Sequence, residues 1–410
     1  MILRVGKRVA LIILALVLSA AGVSAQAPAP ATLSLSDAIA RALEANRTMA
    51  AARLSRAVDA AGVLVAGERP NPEVGAELAR ETPHWTVSGT LPLELGGKRQ
   101  RRIDVANATL AATDADTARI AADLRADVRA AYFTAVAAER RVTISQELQD
   151  IATRARDAAR DRFETGAAPR LEALQAELLL AQAENDGAAA RGEVDAARAE
   201  LNALLAYPAG AAPGLLDPLE AGPLLPPEMA VAQALAGNAE LDVLQTRIDE
   251  ERARLALAKA MRRPDPSIGA AVTSPVPDAF TVGWKVSAAI ALPIFTTGRP
   301  AVAAAEATLA RASAEREARS AQIAGAVGAA VAHARAARQT LDRYRNGILP
   351  ASAQIEAMAE ESYRTGQTGL PALLQALQSA RDVRQRALEA GLAYQLALTG
   401  LERAMGTPIR

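Results

Sequence analysis

The chain has 410 residues, with 46 basic and 46 acidic side chains, a formal net charge of zero and no cysteine. Balanced charge argues against the basic surface of a nucleic-acid binder, and the absent thiols exclude disulfides, thiolate metal centres and cysteine nucleophiles. Alanine is abundant and aromatics amount to only 3%, which favours long helices in close contact over a core filled by large side chains.

The first predicted element is a leader. Arg4, Lys7 and Arg8 precede an apolar run from Val9 to Val23, and Val23-Ser24-Ala25 satisfies the small-residue rule for cleavage after Ala25. Residues 1–25 therefore read as a Sec signal peptide, whose removal leaves a formal charge of −3. No cysteine is available behind it for lipid attachment. No later stretch of about 18 apolar residues could form a membrane helix.

The rest of the chain is a tandem duplication. AIARALEAN (38–46) matches AVAQALAGN (230–238), and RPNPEVGAEL (69–78) matches RPDPSIGAAV (263–272). TLPLELGGKR (90–99) corresponds to ALPIFTTGRP (291–300), and ATLAA (108–112) to ATLAR (307–311). RFETGAAPRLEALQAEL (162–178) corresponds to SYRTGQTGLPALLQALQ (362–378), and LNALLAYP (201–208) to LERAMGTP (401–408). Six pairs in one order, at offsets of about 192 to 201, define repeats at 26–206 and 228–410. Between them, six prolines and several glycines in 207–227 forbid a continuous helix.

Each repeat predicts the same series of elements. The first has a helix over about 36–68, a β-hairpin at about 72–94, a very long helix at about 98–165 and a helix at about 170–206. The second has a helix at about 228–262, a hairpin at about 266–293, a long helix at about 301–364 and a helix at about 371–405. A helix of about 67 residues spans roughly 100 Å, and two shorter ones end to end match it. The long helices end at Thr165-Gly166 and Thr365-Gly366, with Pro169 and Pro371 opening the helices that return. Leu171, Leu174, Leu178 and Ala181 recur at coiled-coil-like spacing on the first returning helix, echoed by Leu373, Leu377, Ala380 and Gln385 on the second.

The hairpins alternate with period two. Val74, Ala76 and Leu78, then Trp85, Val87, Gly89, Leu91 and Leu93, face one way; Ile268, Ala270 and Val272 continue the pattern. In the last strand Phe280, Val282, Trp284, Val286, Ala288, Ile290 and Leu292 oppose Thr281, Gly283, Lys285 and Ser287. Strands of about nine to twelve residues with one apolar face are long enough to cross a bilayer, and Trp284 and Phe280 suit an interfacial belt. Four strands do not close a barrel, so spanning requires several copies of the chain.

These features resemble the TolC-like outer-membrane efflux family over essentially the whole chain beyond the leader. PNPEVGAEL, LPLELGGKR and RFETGAAPRLEAL are most similar to the branch that serves cobalt–zinc–cadmium export by resistance–nodulation–division pumps. The resemblance implies a mainly α fold with a small β part, in which each protomer of a homotrimer gives four strands to an outer-membrane β-barrel and its helices to a long periplasmic α-barrel. It implies a passive exit duct in the outer membrane, served by a periplasmic adaptor and an inner-membrane pump, with the 207–227 segment at the equator. It places adaptor docking at the tip residues Phe163, Thr165, Gly166, Arg170, Tyr363, Thr365 and Gly366. Relatives commonly narrow the tip with acidic residues after the second reversal. Here Ala372 and Gln375 stand there, while the first copy has Glu172 and Gln175, so Glu172 and Gln375 are the candidate aperture residues.

No catalytic, cofactor or metal constellation accompanies these elements. His84 and His333 fall on unrelated elements. GGKRQRR (96–102) lacks P-loop spacing and reads as a strand-to-helix corner mirrored at Gly298; attraction of Lys98, Arg99, Arg101 and Arg102 to lipid headgroups, or a solvated helix start, would explain its charge. Export of drugs or type I secretion would use the same duct. A periplasmic adaptor or a secreted coiled-coil protein would use the helices but not the duplicated hairpins.

Overall fold

A computed structural model describes residues 29–219, 222, 224–276 and 281–409. The predicted leader, parts of the Pro-rich segment and Phe280 lie outside the described residues. The chain runs β1 (Thr32–Leu33), α1 (Leu35–Ala45), α2 (Arg47–Ala66), β2 (Glu73–Leu78), β3 (Trp85–Pro92), α3 (Lys98–Glu164) and α4 (Arg170–Leu205). It continues with β4 (Gly214–Leu215), α5 (Pro227–Gly237), α6 (Ala239–Met261), β5 (Pro266–Thr273), β6 (Gly283–Ile290), α7 (Arg299–Arg343), a π-helical turn (Tyr344–Ile348), α8 (Leu349–Arg364) and α9 (Leu370–Met405).

Both helices expected over 36–68 and 228–262 are divided, each at an asparagine. The Asn46 side chain accepts from the Thr48 N–H at 2.8 Å and donates to the Leu204 carbonyl at 3.0 Å. Asn238 repeats the arrangement, accepting from Glu240 at 2.9 Å and donating to the Ala404 carbonyl. An asparagine that offers the backbone its own acceptor stops one helix and caps the next. Here the same side chain also ties the joint to the end of the repeat's last helix.

The second long helix is also interrupted. α3 is continuous for 67 residues, but its counterpart carries a π-helical turn at Tyr344–Ile348, followed at once by Pro350. Proline has no N–H to give the carbonyl four residues back, and its ring crowds that carbonyl. Widening to i→i+5 bonding lets the helix pass the proline without ending.

α3 packs against α4, α6, α2 and α9. Its inward face is largely alanine, with Ala126, Ala135, Ala137, Ala138, Ala152, Ala155 and Ala159 buried. The leucine seam expected on α4 faces outward: Leu171, Leu174 and Leu178 are exposed, while Ala173 and Ala176 are buried. The small side chains let the α3–α4 hairpin close tightly, so alanine rather than leucine occupies the contact. On α9 the echo runs inward, with Leu373, Leu377 and Ala380 buried and Gln385 exposed.

At mid-length the Pro-rich segment wraps the bundle, and β1 pairs in parallel with β4. Tyr132 of α3 is the hub there, completely buried. Its hydroxyl donates toward the Leu33 carbonyl at 3.0 Å and Asp217 Oδ2 at 2.8 Å, and accepts from the Leu216 and Asp217 N–H groups. The buried Gln395 holds the Leu219 carbonyl at 2.8 Å. The two repeats are further joined by Arg129 to Glu402 and Gln395, and by Arg403 to Asp127.

The four long strands form one antiparallel sheet in the order β2-β3-β5-β6. They have six, eight, eight and eight residues, shorter than the nine to twelve expected from alternation. Prolines explain part of the difference: β3 stops at Pro92, and Pro293 follows the end of β6, neither able to donate to a ladder.

Candidate functional site

The register decides what each sheet face presents. Val87 pairs with Val272, Ala76 with Val87, Val272 with Trp284 and Ala270 with Val286, so the apolar residues of the alternation that lie within the strands stand on one face. That face is bare: Leu78, Val74, Trp284 and Val286 are 87%, 79%, 81% and 67% exposed. The opposite face carries Glu73, Glu77, Thr86, Ser88 and Thr90, then Ser267, Lys285 and Ser287. No helix among the described residues is long and apolar enough to cross a membrane. Among the described residues, β2 and β6 each leave one edge without a partner strand.

The helical rods meet this sheet at a joint built from both repeats. Gly96 and Gly97 have φ of 75° and 72°, a left-handed corner that suits glycine. The corner aims Lys98 inward, where it is only 4% exposed. Its ammonium lies 2.6 Å from Asp265 Oδ2, and Asp265 Oδ1 accepts the Leu95 N–H at 2.9 Å. Burial pushes the Asp265 carboxyl up, but the Lys98 ammonium and the Leu95 N–H outweigh it, and the net shift is downward. Arg102 bonds Glu94 and the Glu68 carbonyl, while Arg99 bonds the Gly67 carbonyl at 2.6 Å. The basic run expected either to meet lipid headgroups or to be a plain solvated helix start is thus mostly spent inside the joint. The Arg101 side chain bonds Asp104, on its own helix. Asp265 is the middle residue of the second Pro-x-Pro motif, and no local pattern marks it as a partner for Lys98, 167 positions away.

At the far end, the two reversals are built alike. Gly166 N–H bonds the Phe163 carbonyl and Ala167 N–H the Arg162 carbonyl; Gly366 and Gln367 do the same to Tyr363 and Ser362. Both glycines have φ of 74°, giving a helix end closed by a 6→1 and a 5→2 bond. Thr165 and Thr365 each return a hydroxyl to the carbonyl four residues back, at 2.9 Å. Pro169 is the cap residue preceding α4, and Pro371 the second residue of α9.

The tip residues do not all play one part. Phe163, Thr165, Gly166, Arg170, Thr365 and Gly366 are exposed, whereas Tyr363 is buried. The Tyr363 hydroxyl meets Glu172 Oε1 at 3.2 Å, Arg162 reaches the same oxygen at 3.3 Å, and the Arg162 guanidinium lies 5.2 Å over the Tyr363 ring. Burial raises the Tyr363 pKa, with Arg162 opposing. Glu172 is therefore held between the two hairpins, and Gln375 is exposed on α9. Arg162 was the member of this clasp without a sequence signal, since its counterpart in the second repeat is Ser362. Both histidines are exposed and apart, and no group of three metal-ligating side chains occurs among the described residues.

Comparison with known proteins matches these features. The family model for outer membrane efflux proteins covers residues 38–206 and 230–407. The cobalt-zinc-cadmium resistance protein CzcC of Cupriavidus metallidurans is 33% identical over 232 residues, 54% of this chain and 56% of that protein. The nickel-cobalt-cadmium resistance protein NccC of Alcaligenes xylosoxydans is 33% identical over 133 residues, 32% of this chain and 30% of that one. The chain thus spans about half the length of the first relative and under a third of the second. Among solved structures, CusC superposes with a TM-score of 0.75 at 18% identity, over 91% of this chain and 92% of its own. The open state of Neisseria gonorrhoeae MtrE superposes with a TM-score of 0.73 at 20% identity, over 91% and 89%. The Campylobacter jejuni channel CmeC does so with 0.73 at 15%, over 91% and 85%.

Proposed function

The chain belongs to the outer membrane efflux protein family, and from that membership we propose that it is the passive outer-membrane exit duct of a tripartite efflux system. The observation that carries this is the sheet: one exposed apolar face, one polar face and two open edges, set on rods of roughly 100 Å. An open edge in hydrocarbon leaves peptide groups without partners, so such a sheet functions only in a closed ring of several chains. Three copies give twelve strands. The apolar face then meets lipid, the polar face lines water, and the α-helical part extends through the periplasm.

In this reading the leader is cleaved after Ala25, the two reversals dock a periplasmic adaptor, and that adaptor couples the duct to an inner-membrane pump of the resistance–nodulation–division type. Divalent heavy-metal cations are the proposed cargo, supported by the resistance proteins that the chain resembles. The duct needs no metal ligands of its own, because it supplies a wet path past hydrocarbon and leaves selection to the pump.

The decisive experiment combines location and conductance. The protein should fractionate with the outer membrane as a heat-modifiable trimer and open ohmic pores in planar bilayers; a soluble monomer without conductance would end the proposal. A deletion strain profiled against cobalt, zinc, cadmium and common drugs assigns the cargo, and hypersensitivity confined to drugs would remove metals. Val286→Asp places a carboxylate on the lipid face, at a cost somewhat below the 2–4 kcal/mol of a basic residue at mid-membrane. Inserted trimer should fall in proportion, as read on unheated gels.

The Arg162–Glu172–Tyr363 contact is proposed to hold the two hairpins of the tip together. Replacing Tyr363 by Phe and Glu172 by Gln together should widen the tip and raise single-channel conductance without reducing trimer yield. Unchanged conductance would exclude the clasp as a constriction.

A further inference from the structure

The joint between sheet and rods occurs once within the chain, but the duplication supplies the parts for it twice. The filled joint uses the corner of the first repeat, Leu95 to Lys98, and the Pro-x-Pro residue of the second, Asp265. The unused parts are the corner of the second repeat and the Pro-x-Pro residue of the first. By the repeat alignment, Gly298 stands for Gly97, Arg299 for Lys98, Thr296 for Leu95 and Asn71 for Asp265. Gly298 keeps the left-handed corner at φ 67°. Arg299 and Asn71 are both exposed, and the Arg299 N–H bonds the Thr297 hydroxyl of its own corner at 3.5 Å.

The sheet shows the same incompleteness. β3, the second strand of repeat one, pairs with β5, the first strand of repeat two. The equivalent pairing is β6 with β2, and these are the two open edges. They stand at opposite sides of a four-stranded sheet in which β2 and β6 run in opposite directions, so a second sheet continues the antiparallel alternation by placing its β2 beside β6. Strand pairing and the corner joint are then satisfied by the same neighbour.

From this geometry we propose that a second copy of the chain completes the joint, with Arg299 of one copy bonding Asn71 of the next. The proposal rests on the multi-chain assembly proposed above and names the residues that lock its seam. An Asn71 oxygen in the place of Asp265 Oδ1 accepts the Thr296 N–H and a guanidinium N–H, but it carries no charge. The joint within a chain is an ion pair around a buried ammonium; the joint between chains is a neutral acceptor facing a guanidinium. Neutral acceptors form weaker hydrogen bonds than charged ones. The two seams of one ring are therefore unequal, and the ring opens between chains before the sheet opens within one.

The absence of cysteine from the whole chain makes the test direct. Full-length protein carrying Asn71→Cys and Arg299→Cys together is treated in outer membranes with a short flexible bismaleimide, then denatured fully and run beside each single variant. Both positions are exposed in the protomer, so folding of the chain does not depend on them. The double variant should give covalent two- and three-chain species as most of the protein, and the single variants none. Inter-chain product absent from membranes in which unheated samples still run as oligomers would overturn this joint and leave the assembly standing. A protein that never runs above monomer would overturn the assembly itself. A fast-migrating monomer linked internally would mean that each sheet curls on itself, which also refutes the seam. Independently, Asn71→Asp should raise the temperature at which oligomers dissociate, and Asn71→Arg should lower it. No change in either variant would show that Asn71 does not face Arg299.

Discussion

Replacing Asp265 with alanine should destabilise the protein by about 2–4 kcal/mol, below the about 3–5 kcal/mol of a fully buried ion pair because the Asp265 side chain is 34% exposed. Lys98 sits at the start of α3 with almost no contact with water, and Asp265 is the carboxylate given to it. The same carboxylate also takes the Leu95 N–H, so alanine strands two donors at once. Asp265→Asn should cost less, because an amide oxygen still accepts one of them. Lys98→Met combined with Asp265→Leu should recover most of the loss, since removing both charges removes the desolvation penalty with them. Denaturant midpoints of purified protein in detergent measure all three variants, and a wild-type midpoint for Asp265→Ala would show that the pair contributes nothing. The pH dependence has a defined sign. The Asp265 carboxyl lies below its ordinary value of 3.8 in the folded chain, so its contribution is present above about pH 3.8 and is lost as pH falls through the lower folded value.

Tyr132→Phe should cost about 1–3 kcal/mol although it removes one oxygen. That oxygen is the shared partner of the Leu33 carbonyl, the Asp217 carboxylate and two backbone N–H groups; without it the Leu33 carbonyl keeps the Leu216 N–H at 3.2 Å and the Asp217 carboxylate keeps the Leu35 N–H at 2.7 Å, but the Asp217 N–H loses its partner. Each unsatisfied buried group costs about 1–3 kcal/mol, partly relieved where water enters. The damage should be local to the middle of the bundle: hydrogen exchange should quicken at 32–35 and 214–217 before it changes in α3. Titration separates the hydroxyl from mere packing. Burial pushes the Tyr132 pKa up to about 12, from 10.0. A raised folded value means stability that is complete below pH 10 and lost as pH rises toward 12. The wild-type protein should weaken across that window, and Tyr132→Phe should lack this component. Parallel curves for the two proteins would refute the assignment.

Much of the fold class is legible because it depends on periodicity and breakers. A stretch from Lys98 to Glu164 that is rich in alanine and arginine and holds neither proline nor glycine favours one unbroken helix. Thr-Gly at 165–166 and 365–366 supplies the left-handed residue that a closed helix end needs. Alternation in the hairpins assigns each residue to a face without any knowledge of the pairing. The failures are equally physical. Asn46 and Asn238 look like ordinary helix residues, and only the bonds to Leu204 and Ala404 show that each divides a helix. Pro350 sits where a break was not expected, because widening to a π turn absorbs it. Leu171, Leu174 and Leu178 have seam spacing, but spacing cannot say whether a stripe meets its own chain.

The candidate sites divide along the same line. The residues of the tip are visible in RFETG and YRTG, because the turn chemistry is local. The clasp of Arg162, Glu172 and Tyr363 is not visible, since it joins positions 191 apart through side chains whose repeat counterparts, Ser362, Ala372 and Phe163, carry none of its charges and no phenol. The basic run after Gly97 shows its charge but not its destination.

By itself the sequence determined that the chain is duplicated, that its rods are helices of bilayer-exceeding length and that its hairpins have an apolar and a polar face. Each of these follows from intervals of a few residues, where backbone geometry alone dictates which side chains share a side. Only the tertiary structure decided that Lys98 and Asp265 meet, that the sheet runs β2-β3-β5-β6 and that its two outer edges stay open. Those depend on how distant segments trade hydration for contact, and burial of an ammonium or exposure of an edge is a property of the packed chain.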